Sequence, residues 1–367
     1  MVRLHDVATG RDNNFNLIRA IAATAVLVSH AYPIALGGGT PEPLLDSVGH
    51  SLGTVAVHIF FVLSGFLIAA SWDRGSGPLR FVLARGLRLL PGLLVSLVLV
   101  AFAMGPLVTT LSPGAYLTDP GTLRFVPQNL ALISPAYTLP GVFETNPYPT
   151  VEGSIWTLFY EVLCYVGIFA AGMLGLFGRR GLMTAACLAT IAAGLWVGSD
   201  AGTTGVYKAD RALALAAPFA AGTLLWIWRA RVVLTLPVAA GLLVLAWAAK
   251  GTPAYEPAYL AALAYGIFWL AYVPGGPLRA YNRLGDYSYG IYIYAFPAQG
   301  LAVWIWGPMD PLTNMALALP ITLVPSVLSW HLVEKPALAL RGPILALLEP
   351  GRRARDVKDD RRLAGKP

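Results

Sequence analysis

Arg19 and His30 are the two residues of this chain whose types and spacing most invite chemistry. Eleven residues of α-helix make three full turns and about 20° more, and rise about 16 Å, so both side chains leave one face at different depths. A guanidinium is a permanent cation matched to phosphate or carboxylate, and an imidazole can take a proton from a hydroxyl. His30 also fits a plainer role, a hydrogen bond across to a neighbouring helix. Ala23, Val26 and Pro33 share the stripe, and Ala20 and Ala22 beside it leave room for close packing.

Glu161 is the second ionisable group inside an apolar run. It shares a helical face with Ser154, Leu158 and Tyr165, and three readings fit it: orienting His30, pairing with an arginine, or cross-linking helices as a protonated acid. Arg74, Arg80, Arg85 and Arg88 form a basic stretch, and Arg85 and Arg88, three apart, point to similar sides of one helix. Such a cluster suits a polyphosphorylated cofactor, and equally suits lipid headgroups. His58, Ser64 and Gly65 on one segment, and Ser288, Tyr292 and Gln299 on another, read singly as helix packing.

The elements that must hold these residues are membrane helices. Hydrophobic residues make up 56% of the 367 positions and charged ones 12%, with a mean hydropathy of +0.63; a soluble domain is far more polar. Ten apolar segments are long enough to span a bilayer: 16–32, 54–72, 88–109, 154–177, 182–198, 211–228, 232–249, 257–273, 287–305 and 313–333. The expected fold is an all-α polytopic membrane protein of about ten transmembrane helices. With the N-terminus inside, every Lys and Arg except Arg124, Lys208, Arg211 and Lys250 falls on the cytoplasmic side, which predicts both termini inside. The net charge of +7 then lines the inner leaflet and calls for no nucleic acid. No cleavable signal is evident, and Cys164 and Cys187 sit inside predicted helices as small apolar residues.

Residues 110–153 form one long periplasmic loop rich in proline and aromatics, including Tyr116, Tyr137, Phe143 and Tyr148. Its middle, 125–139, is too short to span and reads as a re-entrant or interfacial piece. Its rings suit a sugar-like acceptor or an interfacial belt. The chain divides into a transmembrane domain, 1–340, and a basic cytoplasmic tail, 341–367, expected to be disordered from about 349. No internal repeat or matched pair of broken helices is present, which disfavours a transporter.

Six blocks in order resemble the membrane-bound acyltransferase-3 family, which includes O-antigen and exopolysaccharide O-acetyltransferases. They are NNFNLIRAIAATAVLVSHAYP with Arg19 and His30; VAVHIFFVLSGFLIAASW; LARGLRLLPG with its Arg85–Arg88 pair; NPYPTVEGSIWTLFYEVLCY with Trp156, Thr157 and Glu161; LGDYSYGIYIYAFP; and HLVEKP with Glu334 and Pro336. The likeness spans nearly the whole chain. Three positions depart from the family pattern: His58 stands where Asp is common, Asn16 where many relatives have Asp, and Ala295 where many have a late-helix His. His30 is therefore the one base candidate.

The resemblance implies a bacterial inner-membrane O-acyltransferase that moves an acyl group, expected to be acetyl, from cytoplasmic acetyl-CoA to a hydroxyl of a glycan or lipid-linked saccharide at the cell surface. His30 and Glu161 would be catalytic. Arg19, Arg85 and Arg88 would hold the donor, and Trp156, Tyr148 and Tyr292 the acceptor. No metal is expected, membrane lipid surrounds the bundle, and a homo-oligomer stays open. A polar track from one membrane surface to the other is the physical requirement. The rival reading is a transporter or flippase for a lipid-linked sugar, with the same residues relaying protons.

Overall fold

The computed structural model describes residues 2–348 apart from Thr9, Arg11, Ser76, Asp200 and Ala201. The tail from 349, expected to be disordered, lies outside the described residues. Each of the ten apolar segments overlaps a helix: α1 (Phe15–Leu36), α2 (Leu52–Asp73), α3 (Pro78–Val98), α4 (Trp156–Met173), α5 (Arg180–Val197), α6 (Tyr207–Ile227), α7 (Leu236–Ala248), α8 (Tyr255–Tyr272), α9 (Ser288–Trp306) and α10 (Pro311–Ser329). α3 continues to Val108 and α10 to Leu348, each through a π-helical stretch, Leu99–Met104 and Trp330–Glu334.

Among the described residues seven helices are long and apolar enough to cross a membrane, and an eighth if α8 is joined to the short helix Gly276–Arg283, which bends away from it by 84°. α7 has 13 residues, short for a span. α9 departs for another reason. Every residue from Ser288 to Gly300 is buried, so this helix meets protein on all sides and carries polar groups that a lipid-facing helix would exclude. The outer shell is apolar, with Leu107, Trp247, Leu332 and Val324 exposed, as a bilayer solvent requires. A two-residue antiparallel pairing of Val2–Arg3 with Val233–Leu234 is the β-structure between named strands.

Small residues set the helix spacings. A Cβ on Gly65 would lie 1.9 Å from the Phe219 carbonyl oxygen, and one on Gly222 2.0 Å from that of Val62. α2 and α6 therefore touch backbone to backbone, and Thr223 Oγ1 donates to the Gly65 carbonyl at 3.2 Å. α1 brings buried Ala22, Ala23, Val26 and Ala31 against α2, α9 and α10. Gln299 fastens this layer: its Nε2 donates to the Leu27 carbonyl (2.9 Å) and to Asn314 Oδ1 (3.0 Å).

The long loop folds back onto the bundle. Two short helices, Pro113–Thr118 and Pro120–Leu130, are pinned by the buried Tyr116 hydroxyl donating to the Ala101 carbonyl at 2.8 Å. The segment expected to be re-entrant ends that second helix and continues as irregular chain, closed by Asn129 bonding both backbone groups of Ala136 (3.1 and 2.8 Å). Asn146 Nδ2 then donates to the Gly300 carbonyl on α9 at 2.9 Å.

Candidate functional site

α1 delivers Arg19 and His30 to two different cavities. The first, about 510 Å³, opens at the end of the bundle where α1 begins, and its polar lining is Arg19, Ser64, Arg85, Arg88, Thr157, Glu161, Tyr165, Ser288, Tyr289, Tyr292 and Arg341. Helical spacing explains the convergence: Arg85 and Arg88 sit three apart on α3, Glu161 and Tyr165 four apart on α4, Ser288 and Tyr292 four apart on α9.

Carboxylates already hold two of the guanidiniums. Arg19 Nη1 donates to Asp286 Oδ2 at 3.0 Å and Arg88 Nη2 to the same oxygen at 2.6 Å. Arg88 Nη1 also reaches Glu334 Oε2 at 3.4 Å, where the π-helical turn of α10 delivers a side chain that Ser329 Oγ steadies at 3.0 Å. Asp286 lies between helices, just before α9. Burial alone would push its carboxyl up, but Arg19, Arg88 and the Ser288 hydrogen bonds outweigh that and hold it at about 2. Arg85 differs: it has no ion pair among the described residues, its buried Nε has no hydrogen-bond partner, and its Cζ lies 6.0 Å from the Tyr165 ring centroid. Glu161 accepts from Ser64 Oγ at 3.1 Å and from the Tyr165 hydroxyl.

The second cavity, about 750 Å³, lies at the opposite end beneath the long loop. His30, Glu42, His50, Tyr137, Tyr148, Trp156, Tyr207, Arg211 and Phe296 line it. The His30 ring packs edge-on against Phe296 with centroids 5.2 Å apart, and its buried Nδ1 has no protein partner. Glu42 is the carboxylate that interacts with it, held beside α1 by the Ser29 hydroxyl, whose oxygen in turn accepts from the Gly53 amide at 2.8 Å. A side cavity of about 210 Å³ shares His50, Thr54, Trp156 and Arg211 with this one and adds His58, Glu256 and Tyr259. There His50 Nε2 meets Glu256 Oε2, and His58 Nδ1 meets the Tyr259 hydroxyl, both at 3.1 Å.

The expected polar track is thus two main cavities with no lining residue in common, with the side cavity between them, which shares Val57 with the first and four residues with the second. Tyr292 walls the first cavity on this side. Its hydroxyl donates to the Ser154 carbonyl at 2.7 Å, which leaves Thr157 Oγ1 to donate to it at 2.5 Å, and the Phe60 ring packs edge-on with centroids 5.9 Å apart. A buried hydroxyl seeks bonded partners, and these two are supplied by the start of α4. Glu152 is buried beside this wall with Oε2 unpartnered, and burial pushes its carboxyl well above the ordinary range, against the weaker pull of the Ser154 hydrogen bond.

Of the residues singled out from sequence, Arg19, Arg85, Arg88, Glu161 and Tyr292 meet in the first cavity, and His30, Tyr148 and Trp156 in the second. Glu161 and His30 do not share a cavity. Arg74 and Arg80 join neither; Arg74 packs on the Trp226 ring at 5.1 Å and bonds the Ala8 carbonyl. Glu42, His50 and Arg211 on the second cavity, and Asp286, which anchors two arginines of the first, had no role assigned from sequence. Asp286 stood inside a quoted block, LGDYSYG, and an acid preceding a buried helix was its available signal.

Together these observations define a polytopic helical membrane protein with a charged chamber and an imidazole-bearing chamber at opposite ends of one helix. A family model described as an acyltransferase domain matches residues 12–331. The chain belongs to the acyltransferase-3 family and is a membrane-embedded acyltransferase. It is 29% identical over 351 residues to an O-acetyl transferase of Shigella phage Sf6, covering 92% of this chain and 99% of that one. It is 28% identical over 386 residues to nodulation protein 10 of Rhizobium leguminosarum bv. viciae, covering 92% and 96%. No solved structure matches it.

Proposed function

We propose that this protein is an O-acyltransferase of the bacterial inner membrane that carries an acyl group, acetyl by analogy with its phage relative, from acyl-CoA in the Arg85 chamber to a glycan hydroxyl in the His30 chamber. One observation supports this most: a single helix face sends a cation into one chamber and a base candidate into the other. The residues present fit an anionic thioester donor. Arg85 has a buried donor without a partner, Arg341 stands on the same lining, and Arg19 and Arg88 add charge while anchored by Asp286 and Glu334. Bound there, acyl-CoA would supply the activated acyl group.

The chain's own residues do the rest. His30 takes the proton of the acceptor hydroxyl as its oxygen bonds to the acyl carbon, the carbon–sulfur bond breaks, and the proton is returned to the leaving thiolate. Glu42, rather than Glu161, is the carboxylate within reach to orient His30. Glu161, bonded to Ser64 and Tyr165, shapes the donor chamber below the wall. Trp156 and Tyr148 offer ring faces to a saccharide, and Tyr292 must swing aside for the acyl group to pass.

Purified protein in nanodiscs, given labelled acetyl-CoA and surface glycan from a deletion strain, is expected to transfer label to the glycan. His30→Ala should abolish transfer while leaving the protein folded. No transfer, together with identical glycan masses in the deletion strain and its parent, overturns the reading.

A further inference from the structure

Four cations stand apart from the basic end of the bundle: Arg124, Lys208, Arg211 and Lys250. Two are occupied by the fold. Lys208 Nζ donates to the Ile133 carbonyl at 3.0 Å, and Lys250 Nζ to those of Asp46 and Ser47 at 3.1 and 2.6 Å. Arg124 lines neither chamber nor side cavity. Arg211 lines both the His30 chamber and its side cavity, and among the described residues no other Lys or Arg does.

Two rings aim its guanidinium. Its Cζ lies 5.4 Å from the Trp156 ring centroid and 5.2 Å from that of Tyr207, and Nε donates to the Tyr207 hydroxyl at 3.2 Å. The acids nearby are engaged elsewhere. Glu42 accepts from Ser29, Glu256 pairs with His50, and Asp210 caps Thr203 and Thr204. Arg211 therefore has no carboxylate partner among the described residues, although its planar fork fits a carboxylate or phosphate in two parallel bonds.

We infer that the acceptor taken by the His30 chamber is an anionic saccharide, whose carboxylate or phosphate is read by Arg211 while a neighbouring ring lies against Trp156 and hydroxyls reach the His50, His58 and Tyr259 side cavity. The inference rests on the proposed glycan acceptor and names its chemical class. A cation stacked on aromatic faces is pre-oriented, so less side-chain freedom is lost on binding an anion.

Binding, measured separately from turnover, tests this. Wild type, Arg211→Gln and Arg211→Lys in nanodiscs of zwitterionic lipid are titrated by tryptophan fluorescence with three probes: a tetrasaccharide carrying one glucuronic acid, its carboxyl-reduced neutral counterpart, and a glycerol-phosphate-substituted tetrasaccharide. Wild type should bind at least one acidic probe about tenfold more tightly than the neutral one. R211Q should lose that preference, R211K should regain part of it, and all three proteins should bind acetyl-CoA alike, which shows the bundle intact. The carboxylate and phosphate arms tell which anion is read. Equal binding of acidic and neutral probes by wild type, or an acidic preference untouched in R211Q, overturns the inference. Saccharide binding without acetyl transfer overturns the proposed function and leaves this inference standing.

Discussion

Asp286→Asn is the perturbation whose size follows most directly from the structure. One carboxylate oxygen serves both Arg19 and Arg88, and a carboxyl that titrates at about 2 instead of 3.8 is held in its charged form by a few kcal/mol. Asparagine keeps the shape and removes the charge. Arg19 then has no acidic partner among the described residues, and Arg88 keeps only Glu334 at 3.4 Å. The expected loss of stability at neutral pH is about 2–4 kcal/mol, the upper end being the cost of leaving buried charge uncompensated. Because the folded carboxyl is depressed, its contribution is complete above about pH 4 and is lost as pH falls through 2. SDS-induced unfolding in mixed micelles, followed by tryptophan fluorescence for wild type and D286N across pH 2–7, reads both effects. Adding Arg19→Gln to D286N should recover part of the deficit, since it removes the stranded cation. D286N as stable as wild type at pH 7, or a deficit that stays constant down to pH 2, would refute this charge balance beside the first cavity.

His30→Gln keeps a hydrogen-bonding side chain and removes the base; glycan acetylation should fall by about 10²–10⁴-fold in kcat with an unchanged unfolding curve. Arg85→Gln should raise KM for acetyl-CoA about tenfold with kcat nearly constant, whereas Arg74→Gln, on the Trp226 ring outside the chamber, should leave KM unchanged; steady-state kinetics separates them. Glu152 is raised above its unfolded value, so wild type loses stability as pH climbs from about 4.5 toward the folded titration point, and Glu152→Gln should be at least as stable as wild type at pH 7 in the same SDS assay. Gly222→Ala places a Cβ 2.0 Å from the Val62 carbonyl oxygen; forcing α2 and α6 apart should cost about 1–3 kcal/mol, read as a lowered unfolding midpoint.

The helices were legible because a bilayer imposes a strong rule: long apolar runs must be helical. Their content was less so at α9, whose buried tyrosines and Gln299 reflect an interior position that hydropathy does not encode. Arg19, Arg85, Arg88, Glu161 and His30 stood out because ionisable groups in apolar runs are costly. Their partners did not. Asp286 lies 267 positions from Arg19 and Glu334 lies 246 from Arg88, and no periodicity joins residues so far apart. Helical phase puts Arg19 and His30 on one face of a helix that runs from Phe15 to Leu36. It carried no information about Tyr292 and Thr157 meeting in the middle, which depends on how α4 and α9 cross.

The tyrosine wall has an electrical meaning. A bundle hollowed from both ends would leak ions across its own membrane if its cavities merged, and Thr157, bonded to Tyr292, lines one cavity while its neighbour Trp156 lines the other. An acyl arm reaching across there, as proposed, would have to seal the gap with its own girth, as a valve stem does, so that chemistry passes while current does not.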